Sequence, residues 1–325
     1  MKNKLLLSTA IASVAFAGSV YAETKVSGNL EQTWQSSSRD LAAQDVNGAN
    51  ALGSETNISL SSSKDLDNGL TSSFGFTTED GSTDNHYLTV GTDSFAVTVG
   101  RDRGDSIDSD VIPYISDDIA TVSGIVGGSF SNGTTAHNAD HIDFKANMGA
   151  AALTVRYAPS TNGGATDDGA LVGKDSGGSS TEIVLKGNMG VEGLSVLIGQ
   201  NTNTEDTDVG NDEDKIKKYG ATYNFGQFAV GVQKGVVDVG SGANTETTNM
   251  SYGVTFAAND NVSLGVYVGE SDQDGSASDE ESKMIQVGYN LGGLGLEIGH
   301  MQIENIGYSA GDDADITFIR TIQKF

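Results

Sequence analysis

Apolar and polar residues alternate with a period of two through nearly the whole chain after residue 22. Val262, Leu264, Val266 and Val268 alternate with Ser263, Gly265 and Tyr267, and Met250, Tyr252, Val254 and Phe256 alternate with Ser251, Gly253 and Thr255. The pattern returns at Phe95, Val97, Val99; Leu194, Val196, Ile198; Phe228, Val230, Val232; and Leu294, Leu296, Ile298. A strand sends successive side chains to opposite faces, so each run has one apolar and one polar face. The polar positions hold Ser, Thr, Gly, Asn and Gln, with Lys145, Arg156, Lys186 and Glu297 among them. That is too polar for the inside of a sandwich, so this face must meet water.

The connections alternate as well. Short turns are predicted at Asp65–Gly69, Thr92–Ser94, Asn147–Ala150, Asn188–Gly193, Asn224–Gln227, Ala257–Asn261 and Asn290–Gly293, which makes seven hairpins. Eight longer polar stretches lie around them, near 38–52, 79–85, 102–140, 158–181, 201–216, 235–249, 270–283 and 304–315. One strand before the first hairpin (Thr24–Ser37) and one after the last (Ile316–Phe325) bring the total to sixteen. Of the 44 acidic residues, 33 fall in the longer stretches, so one rim carries most of the charge.

Lys2 and Lys4, the apolar stretch Leu5–Ala17 and the small-x-small end Val20–Tyr21–Ala22 read as an export signal over residues 1–22, leaving one domain over 23–325. Loss of the two lysines takes the formal charge from -26 to -28. So acidic a chain offers no basic face to neutralise phosphates, which excludes nucleic acid as a partner. The absence of cysteine excludes disulfide scaffolds and Cys-ligated zinc, and no apolar run is long enough for a helical membrane span.

An apolar outer face can sit in lipid only if no strand has an open edge, and closing the sheet removes every edge. The expectation is an all-β fold: a 16-stranded antiparallel transmembrane β-barrel with apolar residues outward, short periplasmic turns and long extracellular loops. A sandwich or solenoid would also give period two; the signal segment, the loop asymmetry and the polar second face favour the barrel.

Particular residues resemble a known family. Lys64-Asp65-Leu66-Asp67-Asn68-Gly69-Leu70 leading to Phe74 is similar to the first periplasmic hairpin of the general porins of Gram-negative outer membranes. Leu88, Val90-Gly91, Phe95 and Val99-Gly100-Arg101 are similar to the next hairpin, Tyr219 to Gly226 resembles a later one, and Phe325 matches the terminal aromatic that serves assembly. The resemblance implies a homotrimeric, water-filled diffusion channel whose third long loop folds inward to narrow the lumen. Its partners would be outer-membrane lipid, lipopolysaccharide and small hydrophilic solutes.

On that resemblance the pore constriction is expected at Asp105, Asp108, Asp110, Asp117 and Asp118 of the third loop, with Arg101, Arg103, Lys145, Arg156 and Lys186 as cations on or near the wall. The family often clusters arginines on the wall; the five here after residue 22 are spread from Arg39 to Arg320, so no strong transverse field is implied. Gln323 stands where an apolar residue is expected two before the terminal aromatic. Acidic rims favour cations, which makes cation-preferring passive diffusion the expected function. The alternative is a secreted or surface β-rich adhesin or structural protein with acidic loops able to hold calcium.

Catalysis and resident cofactors are not expected. His137 and His141 stand four apart but in a loop entering a strand, so a metal site there is disfavoured. Glu205 to Asp214 and Asp272 to Glu281 could hold divalent cations, although neither run has calcium-loop spacing, and solvated loop acids are the simpler reading.

Overall fold

The computed structural model of the chain describes residues 23–38, 51–101, 105–109, 111–116, 140–159, 178–204, 213–239 and 246–325. Its strands are β1 (Glu23–Ser37), β2 (Ala51–Asp65), β3 (Thr71–Glu79), β4 (Ser82–Gly91), β5 (Phe95–Arg101), β6 (His141–Asn147), β7 (Ala151–Ala158) and β8 (Ser179–Gly187). They continue with β9 (Leu194–Thr204), β10 (Glu213–Phe225), β11 (Phe228–Asp238), β12 (Glu246–Ala257), β13 (Val262–Gln273), β14 (Glu280–Asn290), β15 (Leu294–Glu304) and β16 (Ala314–Lys324). Each strand pairs antiparallel with its neighbours in sequence, and β1 pairs with β16, so the sheet closes on itself. No helix among the described residues is long and apolar enough to cross a membrane; the strands do that work. The export-signal reading of residues 1–22 lies outside the described residues.

The outward face is the apolar one. Val266 and Ile285 are 52% and 60% exposed, whereas their inward neighbours Tyr267 and Gln286 are buried. Tyr223, Phe225, Phe228 and Phe256 stack in sequence beside two short turns, with ring centroids 5.9, 5.6 and 4.7 Å apart. An outward aromatic row near a rim suits the membrane interface.

All seven predicted turns join the expected strands. In the first, Leu66 N–H donates to the Leu70 carbonyl at 2.7 Å, and the Thr71 hydroxyl donates to the Asp65 carboxylate. The long-loop rim differs from the sequence reading. The polar stretch 79–85 is a two-residue turn at Asp80 and Gly81 with φ of 47° and 88°, the left-handed pair that a tight hairpin requires. Asp80 Oδ1 also accepts from the Thr56 N–H at 2.8 Å, tying that turn to β2. Strands β9 to β15 likewise run on into segments read as loop, because polar side chains on both faces are tolerated once a strand has left the hydrocarbon.

Two inner-wall patches break the rule of polar residues inward. Ile107 and Val111 of the β5–β6 connection pack with Val184, Leu197 and Ile216. Ile112 packs with a cluster that includes Tyr267, Met284, Met301, Ile316 and Phe318. In β16 the pattern inverts, with Ile316, Phe318 and Ile322 buried and Thr317 and Thr321 on the outward parity. Chain covers these stretches of wall, so they are dry. The seam is closed at its end by paired backbone bonds between Gly28 and Phe325, 3.0 and 3.1 Å. Gln323 uses its amide to donate to the Gly293 carbonyl at 3.1 Å, a role an apolar residue there would not fill.

Candidate functional site

Residues 105–109 and 111–116 leave the end of β5 and lie inside the barrel. Asp105 meets the wall first: Lys145 Nζ donates to its Oδ2 at 2.8 Å, and Lys186 Nζ lies 3.2 Å from its Oδ1. The lysines come from β6 and β8, which flank β7 and present them inward opposite Thr154 and Ala152. Burial alone would raise the Asp105 carboxyl, but hydrogen bonding and charge from Lys145, then Lys186, outweigh it and hold the group below its ordinary value of 3.8.

Beside this clamp, Asp143, Arg156 and Glu182 occupy one rung across β6, β7 and β8, each directly opposite the next. The fully buried Arg156 guanidinium grips Asp143 with two bonds, 2.7 and 2.9 Å, and donates to Glu182 Oε1 at 2.6 Å. The connection joins the rung: Ser106 Oγ donates to Glu182 Oε2 at 3.3 Å, and Arg156 reaches the Asp105 carbonyl at 3.4 Å. A guanidinium suits this position because its planar fork serves two carboxylates at once.

The other end of the described connection has a second anchor. Arg320 Nη1 donates to Ser116 Oγ at 3.2 Å while its Nη2 lies 2.8 Å from Glu31 and its Nε 3.7 Å from Glu297. Gln286 accepts from the Ile115 N–H at 2.9 Å and donates to the Ser116 carbonyl at 3.2 Å. Midway, Val111 N–H donates to Gln233 at 3.2 Å, and Lys218 Nζ is 3.5 Å from the Asp108 carbonyl. A cavity of about 300 Å³ is lined by Asp105, Asp143, Lys145 and Thr154 together with Thr89, Ala96 and Thr98 of β4 and β5.

Of the residues expected at the constriction, Asp105, Lys145, Arg156 and Lys186 come together, with Asp108 one turn of chain away. Arg101 does not join them. It has the outward parity of Val97 and Val99, opposite His86, because residues an even number apart share one face of a regular strand, and its Nε lies 3.6 Å from Asp140. Arg103, Asp110, Asp117 and Asp118 lie outside the described residues. Asp143, Glu182, Glu31 and Arg320 were missed, and Glu297 was read on the water-facing side but not at the constriction, because linking them needs the strand register. Among the described residues, no group of three or more His, Asp or Glu is placed to hold a metal, and Glu280, read as a loop acid, is buried and accepts from the Gly307 N–H. His137 lies outside the described residues.

No curated protein sequence matches the chain significantly. Among solved structures, a porin from Comamonas acidovorans described as anion-selective aligns with TM-score 0.68 and 15% identity, covering 94% of this chain and all of the other. The trimer form of OmpT, an outer membrane protein of Vibrio cholerae, aligns with TM-score 0.66 and 13% identity, covering 94% of this chain and 100% of that one. Its variant lacking loop L8 gives 0.67 at 14%, with 94% and 99% covered. At such identities these likenesses speak to the fold, the closed sixteen-stranded barrel. The sequence itself matches the family described as Gram-negative porin over residues 8–307, and the chain belongs to that family, whose members reside in the outer membrane.

Proposed function

We propose that this porin is a non-catalytic, passive diffusion channel for small hydrophilic solutes and ions with a mild preference for cations, exported by residues 1–22 and assembled as a homotrimer in a lipid and lipopolysaccharide membrane. The observation that carries the preference is the engagement of the wall cations. Lys145 and Lys186 share Asp105, Arg156 is held by two carboxylates, and Arg320 by two more. Lys145, Lys186 and Arg156 together face three carboxylates, Asp105, Asp143 and Glu182, and Arg320 faces two, so these four cations leave no net positive charge on the wall. The described inward positions of β2 and β3 add Glu55 and Glu79 against Lys25 of β1, and the long-loop rim is acidic. A wet passage lined this way concentrates counter-ions of positive sign. At ordinary salt the rim acts over only ~8–10 Å, so inner-wall groups decide the preference.

The trimer reading draws on the trimeric neighbour, and the asserted selectivity is opposite to that of the Comamonas neighbour; a shared fold does not fix the sign. Purified protein in a planar bilayer under a salt gradient tests the proposal. The reversal potential should have the sign of cation flux, and an anionic sign would overturn the preference while leaving the channel intact.

A further inference from the structure

Six successive strands, β9 to β14, each place one glycine inward beneath the inserted connection: Gly199, Gly220, Gly231, Gly253, Gly265 and Gly288. Gly231 and Gly253 are directly paired, and the others step diagonally from strand to strand, which makes a continuous lane without side chains along the wall. The connection lies in that lane. A Cβ on Gly199 would stand 3.3 Å from Ile107, one on Gly220 would collide with Val111 Cγ2, and one on Gly231 would come within 2.6 Å of Pro113 Cδ. On Gly253 it would be 2.5 Å from the Pro113 carbonyl oxygen; on Gly265 and Gly288 it would be 3.2 and 2.9 Å from Ile115. None of these six has the positive φ that would itself demand glycine. Their shared property is the space they leave.

We infer that this lane is a seat that sets how far residues 105–109 and 111–116 stand off the wall, and therefore that the six glycines determine the bore and the size limit of the channel. The inference rests on the channel reading above. The segment's polar ends are fixed by Lys145, Lys186, Arg320 and Gln286, so a methyl beneath its middle cannot be avoided by sliding. Ordinary Cβ contacts begin near 3.4 Å, so a methyl on Gly253 requires Pro113 to retreat by about 1 Å, and the open side is the lumen. The seat alters bore without altering charge, so it acts on solute size and not on ion preference.

The test is single-channel conductance and vesicle swelling with sugars of graded size, on wild type and Gly231→Ala, Gly253→Ala, Gly265→Ala and Gly220→Ala. Gly295→Ala is the control: it is inward too, but its added methyl would meet nothing nearer than 3.7 Å, and that atom belongs to Ile322. Conductance should fall by roughly a third in Gly231→Ala and Gly253→Ala, less in Gly265→Ala, and stay at the wild-type level in the control. Reversal potentials should not move. Adding Val111→Ala to Gly220→Ala removes the colliding methyl and should restore conductance, which keeps the test open if Gly253→Ala does not fold. Seat variants that conduct like the control, or better than wild type, or a pair that shows no rescue, would overturn the inference. A wild-type chain that conducts nothing would overturn the channel reading itself.

Discussion

Ser106 and Ser116, at opposite ends of one inserted segment, each hydrogen-bond into a different buried arginine–carboxylate group: Ser106 donates to Glu182, which Arg156 holds, and Ser116 accepts from Arg320. The two anchors sit on β7–β8 and β16, far apart around the barrel wall. A loop held at both ends and seated between them behaves as part of the wall.

Arg156 should be the more sensitive anchor. Its replacement by methionine leaves Asp143 and Glu182 buried without their cation, and stability should drop by about 3–5 kcal/mol. Denaturant unfolding from detergent or lipid measures this. Arg156→Lys, which cannot serve both carboxylates bidentately, should recover only part of the loss.

Asp105→Asn should move ion preference toward anions. It removes one negative charge and leaves the Lys145 and Lys186 ammoniums less compensated at the passage. The cation-to-anion permeability ratio from reversal potentials should fall roughly two-fold, and the change should shrink in concentrated salt.

Acid should loosen the same clamp. The Asp105 carboxyl lies below 3.8 in the folded chain, so its contribution is present above that ordinary value and is lost as pH falls through the lower, folded value. Current noise from loop motion should rise as pH falls below 3.8. The Asp105→Asn channel should be noisy throughout and lack that particular transition.

Phe228 stacks on Phe225 and Phe256 together. Phe228→Ala should cost about 1–3 kcal/mol through both lost stacks, read as thermal unfolding in lipid vesicles, with conductance unchanged because the ring faces away from the lumen.

The barrel was legible because Leu264 and Ser263 must face opposite ways and because Asn290-Leu-Gly-Gly can only turn. The rim was less so: Glu79, Thr83 and Asp272 look like loop residues, and nothing in a lone polar run says that it stays paired with a neighbour. Lys145, Lys186 and Asp105 were recognised as candidates, but their mutual engagement depends on where the segment lies. The anchors at Glu182 and Arg320 needed register, which links residues that no local pattern connects. Six scattered glycines carry no signal until the strands are aligned and their spacing becomes a line.

The bonds between β1 and β16 carry a consequence for biogenesis. Ring closure joins the two most distant strands of the sequence, so it must come after synthesis of everything between them, and contacts of such separation form slowly. Until then the polypeptide has to cross an aqueous compartment with its hydrocarbon-seeking side chains unsheltered. The surplus of carboxylates, which self-repel, is well suited to keeping that traveller dispersed.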